Sequence, residues 1–168
     1  RLVQYRQGEG LEGWALPAGT LLFRHKAALA HQLAFHADGS SFAAAGENGR
    51  IELRDATTGE PITTIATGLR GVPSWLGFDP AGRFLLLCHE GDWALWELAA
   101  AQVVARARTG RFYGNHASWS RDGRRFAFGD WESTWMADLT GLAPVVRSRV
   151  DARPPERDYP QLQFSPTG

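Results

Sequence analysis

Apolar residues fall along this chain in short bursts separated by polar turn residues. In "GRIELRD", "DWALWEL" and "STWMADL" they largely alternate with polar ones, and in "RFLLLCHE" and "RRFAFGD" they run together. Both patterns are those of β-strands. "PITTIAT", "QVVARART" and "PVVRSRV" supply three more, and "HQLAFH", "SWLGFD" and "HASWS" another three. Turn signals return every ~8–12 residues, as in an all-β chain. No capped amphipathic helix of useful length interrupts them.

The bursts are organised as a repeat. An aromatic residue followed by a turn ending in glycine occurs as "FHADG", "FDPAG", "WSRDG" and "FSPTG". The glycines are Gly39, Gly82, Gly123 and Gly168, spaced 43, 41 and 45 apart. A second phrase keeps step with the first: "WALPAG", "RDATTG", "WELAAA" and "ADLTG". It aligns Ala15, Asp55, Glu97 and Asp138 at gaps of 40, 42 and 41. Each unit of about 42 residues therefore holds four short strands, which predicts one blade of a β-propeller. Residues 41–59 align with 1–19 at a constant offset of 40, so residue 1 begins the second strand of a blade and Gly168 ends the first strand of another. The repeats run approximately over 1–39, 40–82, 83–123 and 124–168, cut at the turn between strands one and two. Three arrangements fit: a four-bladed ring closed within one chain, an eight-bladed ring of two copies, or a piece of a longer propeller. An open arc would leave strand edges bare, an aggregation liability.

On these residues the chain resembles degenerate repeats of the WD-repeat (WD40-like) propeller family. The glycine-turn set matches that family's aromatic-Ser-Pro-Asp-Gly turn. The "RD", "WE" and "AD" pairs stand where the family has Trp-Asp. The resemblance covers essentially the whole chain. The family's Gly-His pair is replaced by Arg24-His25, Gly68-Leu69 and Gly110-Arg111, so only His25 remains to take the histidine's part in a buried polar network. Packing is expected to rest instead on apolar residues: Trp14, Phe35, Phe42, Phe78, Phe84, Trp96, Trp119, Phe126, Phe128, Trp135 and Phe164. "WSRDGRRFAFGDWESTWMADLTG" also resembles the repeats of TolB-like and prolyl-oligopeptidase propellers.

Composition narrows the partners. The 168 residues are 43% hydrophobic and 21% charged, with 18 basic and 18 acidic side chains. That balance argues against nucleic-acid binding driven by bulk charge. The single cysteine, Cys88, makes neither an internal disulfide nor a thiolate metal site. No run of about 18 apolar residues is present to span a membrane. Residue 1 is arginine, so the chain reads as an excised piece; its Ala- and Arg-rich composition suggests a bacterial source and a cytoplasmic setting.

Candidate chemistry is sparse. The five histidines (25, 31, 36, 89 and 116) show no helical metal spacing. There is no Gly-x-Ser-x-Gly elbow and no phosphate loop, and "GENG" is a hairpin turn. Asp130 and Glu132 form a carboxylate pair of the kind used in glycoside hydrolysis, but they sit in an acidic turn. No catalytic residue, cofactor or metal is expected, and the chain is not expected to be an enzyme.

Binding is the stronger expectation. In the WD-repeat family the loops between strands two and three share one face with the connections between blades. Carried onto this chain, that face gathers Glu47, Glu90, Asp92, Trp93, Asp130, Trp131 and Glu132 from the first set. The second set contributes Arg70, Trp75, Arg111, Phe112, Tyr113, Arg153, Arg157 and Tyr159. Arginine and aromatic residues are enriched at binding hot spots. The predicted protein-contacting set is Arg70, Trp75, Trp93, Arg111, Phe112, Tyr113, Trp131 and Tyr159. The resemblance implies a non-enzymatic scaffold for protein partners, part of a larger propeller or multidomain protein, with self-association as a way to complete a ring. Two alternatives stand beside it: an accessory propeller of a hydrolase, and an excised or engineered blade array that assembles as an oligomer.

Overall fold

The structure is a computed structural model that describes residues 1–26, 30–46, 49–69, 71–90, 92–108, 116–129, 134–140, 145–150 and 163–165. Fifteen strands among these residues form four antiparallel sheets, each a simple meander in chain order. The first sheet has three strands: β1 (Leu2–Arg6), β2 (Gly10–Ala15) and β3 (Thr20–His25). The second has four: β4 (Gln32–Phe35), β5 (Ser41–Ala45), β6 (Arg50–Asp55) and β7 (Pro61–Ala66). The third consists of β8 (Trp75–Phe78), β9 (Phe84–His89), β10 (Asp92–Glu97) and β11 (Gln102–Arg108). The fourth comprises β12 (His116–Trp119), β13 (Arg125–Gly129), β14 (Thr134–Asp138) and β15 (Val145–Val150). Eleven of these strands, β4 and β6 to β15, fall within the segments that the apolar pattern marks, and β1, β2, β3 and β5 are the additional ones.

The sheets repeat one another in register. Their first two strands pair Phe35 with Phe42, Phe78 with Leu85 and Trp119 with Phe126. A bulge breaks the outer ladder of all four sheets at one place: after Gly13, Leu53, Leu95 and Met136. An extra residue there strengthens the local twist of the outer strand. Gly39, Gly82 and Gly123 have φ of 69°, 70° and 68°, a left-handed backbone open mainly to glycine. That requirement accounts for the glycine column of the repeat. The acids beside these glycines serve the same turns. Asp38 accepts the Ser40 amide at 2.8 Å, Asp79 that of Phe84 at 2.6 Å and Asp122 that of Arg124 at 3.0 Å.

The core lies between sheets rather than within one. β9 shows why its sequence is a continuous apolar run. Phe84, Leu86 and Cys88 enter the core shared with the fourth sheet, and Leu85 and Leu87 enter the one shared with the second. β5 divides likewise, with Phe42 and Ala44 toward the first sheet and Ala43 and Ala45 toward the third. A central strand of a middle blade is covered on both faces, so alternation disappears. Of the aromatics expected to pack, Phe42, Phe126 and Phe128 are fully buried. Phe35 departs from the expectation: it is 37% exposed, on the edge strand β4.

Candidate functional site

Two sets of turns define two faces. One face carries the turns between first and second strands and those between third and fourth. It holds an open groove of about 500 Å³ lined by residues including Asp79, Arg83, Phe84, Asp122, Arg124 and Thr140. The carboxylates there are already engaged. Asp79 accepts the amides of Ala81 and Phe84, and Asp122 accepts the Ser120 hydroxyl at 2.7 Å and the Arg124 amide. The Ser120 hydroxyl and the Arg124 amide hold the Asp122 carboxyl below its ordinary value. This groove is a by-product of turn chemistry.

The other face carries the hairpins between second and third strands and the connections between sheets. It is the face where the sequence places the contact residues. Here an open cleft of about 330 Å³ is lined by Gly68, Leu69, Asp92, Trp93, Arg106 and Ala107. Gly68 and Leu69 come from the connection after β7, Asp92 and Trp93 from the start of β10, and Arg106 and Ala107 from the end of β11. The cleft therefore joins the second sheet to the third. It offers an exposed guanidinium, a carboxylate and an apolar side chain within one small volume, enough for one partner side chain or a short peptide turn.

The predicted contact residues fare differently. Trp75 opens β8 and is half-buried, with its ring over Gly77; a Cβ at Gly77 would lie 2.3 Å from that ring. Trp93 is corrected by the structure: it is 2% exposed. Its ring meets Phe126 edge-on at a centroid distance of 5.2 Å, inside the core between the third and fourth sheets. The reason is that Trp93 lies within β10, a strand covered on both sides, and not in the hairpin before it. Its Nε1–H is buried and makes no hydrogen bond among the described residues. Asp92 lines the cleft, and Glu90 stands exposed in the hairpin at φ 44°. Arg70, Arg111, Phe112, Tyr113, Trp131 and Tyr159 lie outside the described residues, as do Glu47, Asp130, Glu132, Arg153 and Arg157.

Sequence reasoning missed Leu69 and Arg106. Leu69 stands beside Arg70 in "GLRG". Arg106 is a polar position in the alternation of "QVVARART", which marks it as outward but not as part of a cleft.

Other candidate chemistry resolves into structure. His25 Nε2 lies 2.9 Å from the Thr58 carbonyl oxygen of the second sheet, so it ties two sheets together. His36 lies 2.8 Å from the Gly82 carbonyl oxygen and 2.7 Å from Asp38. Burial pushes the Cys88 thiol up to about 12, which leaves it protonated and inert at neutral pH. Among the described residues no three His, Cys, Asp or Glu side chains converge in a group that could hold a metal ion. No helix among them is long and apolar enough to cross a membrane.

These features define a β-propeller fold. The described sheets resemble the β-propeller domain of Myceliophteria thermophila Cps50 (Swd1) at 20% identity and a TM-score of 0.62, over 76% of this chain and 40% of that one. The C-terminal WD40 domain of Sif2 is similar at 20% identity and a TM-score of 0.61, over 74% and 37%. Hydrazine synthase from Kuenenia stuttgartiensis is similar at 17% identity and a TM-score of 0.59, over 77% and 40%. The chain thus spans about two fifths of each. Because the third is an enzyme, the shared fold does not by itself separate scaffold from catalyst. No protein-family model matches the sequence, and no curated protein matches it.

Proposed function

We propose that this chain is a non-enzymatic interaction scaffold that takes a protein partner on the face formed by its second-to-third-strand hairpins and its inter-sheet connections. The cleft of Leu69, Asp92 and Arg106 carries the reading. It is an open site on a rigid sheet framework, and its polar groups are of the kind that orient a peptide. WD40-type propellers commonly serve as interaction platforms, which supports the same assignment. Arg70, Arg111, Phe112, Tyr113, Trp131 and Tyr159 would extend the surface around the cleft, and Trp75 would border it from the third sheet.

The test is a binding measurement on a partner identified by cross-linking and mass spectrometry. Arg106→Glu and Leu69→Asp should each weaken binding at least tenfold, about 1.4 kcal/mol. Arg124→Glu, on the opposite face, should leave it unchanged. Loss of binding with Arg124→Glu but not with the cleft variants would move the site to the other face and end this reading.

A further inference from the structure

The repeated register of the sheets singles out one side chain of the cleft. One residue before the common bulge, Glu12 stands opposite Arg24 in the first sheet, Glu52 opposite Thr64 in the second and Ala94 opposite Arg106 in the third. In the first sheet the two charges meet: Arg24 Nη2 lies 2.7 Å from Glu12 Oε1. In the second sheet Glu52 is held from its own strand by Arg50 and Arg54. The third sheet keeps the arginine and has no glutamate to face it. Arg106 is exposed, and it forms no ion pair or hydrogen bond among the described residues. Its guanidinium is thus the cation of this register position left without its anion.

The wall across from Arg106 is built and held. The Leu69 amide donates to the hydroxyl of Thr67, a residue only 4% exposed, at 3.2 Å. Gly49 has φ 68°, and a Cβ there would lie 2.1 Å from the Leu69 carbonyl oxygen. The bare glycine therefore lets the connection settle onto the hairpin of the second sheet. Leu69 is half-buried: it packs against the core shared by the second and third sheets and also lines the cleft. Arg106 reaches toward this wall, since its Nη1 lies 4.0 Å from where a Cβ would stand on Gly68. A guanidinium has five donors and no acceptor, in a fork that matches a carboxylate.

We propose that the cleft recognises a peptide carboxylate next to an apolar side chain. Arg106 takes the carboxylate, as Arg24 takes Glu12, and Leu69 takes the apolar neighbour. This rests on the reading of the cleft as the docking site and names what docks there. The carboxylate comes from an acidic side chain or from a chain's C-terminus, which present the same two oxygens. Asp92 lines the same cleft and sets a limit. A run of acids would meet its carboxylate, so a lone acid beside an apolar residue fits better than an acidic tract. The balance of 18 basic and 18 acidic side chains likewise gives no broad positive field to gather polyanions. Recognition here is one fork and one apolar contact.

Fluorescence anisotropy with labelled hexapeptides on the whole chain tests this. The probes are an amidated Ser-Gly-Leu-Glu-Gly-Ser, its glutamine and lysine counterparts, hexaglutamate, and a Ser-Gly-Ser-Gly-Ser-Leu peptide with a free C-terminus. The Leu-Glu peptide should bind about fivefold tighter than its glutamine counterpart, and tighter than hexaglutamate. Equal or tighter binding of the free C-terminal peptide would make the chain end the source of the carboxylate; weaker binding would make it the side chain. Arg106→Gln should erase the preference for glutamate over glutamine, and Arg106→Glu should turn it toward lysine, with the urea midpoint unchanged in both because the position is exposed. Equal binding of the glutamate and glutamine peptides, lost on Leu69→Asp, would overturn the carboxylate and leave the docking face standing. Binding that responds to Arg124→Glu and not to the cleft variants would overturn both. No peptide binding at millimolar concentration, or a preference for hexaglutamate, would also overturn the proposal.

Discussion

Ala101 and Glu90 hold left-handed backbone at φ 51° and 44° without being glycine. An L-residue with a Cβ meets the following carbonyl there, a cost of roughly 1–2 kcal/mol. Ala101 is exposed in the turn between β10 and β11, so little but backbone conformation is at stake. Ala101→Gly should stabilise the fold by about 0.5–1 kcal/mol, because part of the relief is lost to the greater freedom of an unfolded glycine. A rise in the urea midpoint at unchanged slope would show it; a fall would mean that the alanine methyl packs. Trp93 illustrates the opposite lesson. As a tryptophan beside an acidic hairpin it reads as a contact residue, yet one position inside the strand is enough to bury its ring against Phe126 and Phe128.

At the scale of the element, the turns carry the charge chemistry of this protein. The Ser40 amide, the Ser40 hydroxyl and then His36 lower the Asp38 carboxyl from 3.8 to about 2. The Thr58 and Thr57 amides lower Asp55, and the Thr140 hydroxyl and amide lower Asp138. Glu12 is lowered first by the Gln4 amide and then by Arg24. A carboxylate whose folded pKa lies below its unfolded value adds stability that is complete above the unfolded value. That contribution is lost as pH falls through the folded one. Stability should therefore be level above about pH 5 and decline between about pH 4 and pH 2, where these groups protonate. Urea unfolding at several pH values checks this, and Asp38→Asn should make the decline shallower. An acid limb as steep in the variant as in the parent would show that the turn carboxylates contribute little to it.

At the scale of the whole molecule, no sheet owns its core. Phe126 of the fourth sheet lies against Trp93 of the third at 5.2 Å and against Trp119 and Phe128 of its own sheet at 5.2 and 5.9 Å. Phe126→Ala should cost about 3–5 kcal/mol. Because the lost contacts span two sheets, the third and fourth should loosen together, seen as parallel loss of hydrogen-exchange protection in β9, β10 and β13. Loss confined to the fourth sheet would show that the sheets are energetically separate. Repeat architectures couple each unit to its neighbours in this way.

The repeat arithmetic alone was enough for most of the strands, for the four-strand grouping of three of the sheets and for the turn glycines Gly39, Gly82 and Gly123, because each depends on local backbone conformation and on a two-residue period that the sequence states directly. Which turns share an end of a blade also follows from strand order. The tertiary structure decided burial at that end of the sheets. Trp93 went inside, and Leu69 and Arg106 came together from segments 37 residues apart by their numbering. Neither outcome has a local signature. Burial depends on how the twisted sheets lean on one another, and a cleft exists only where two sheets meet.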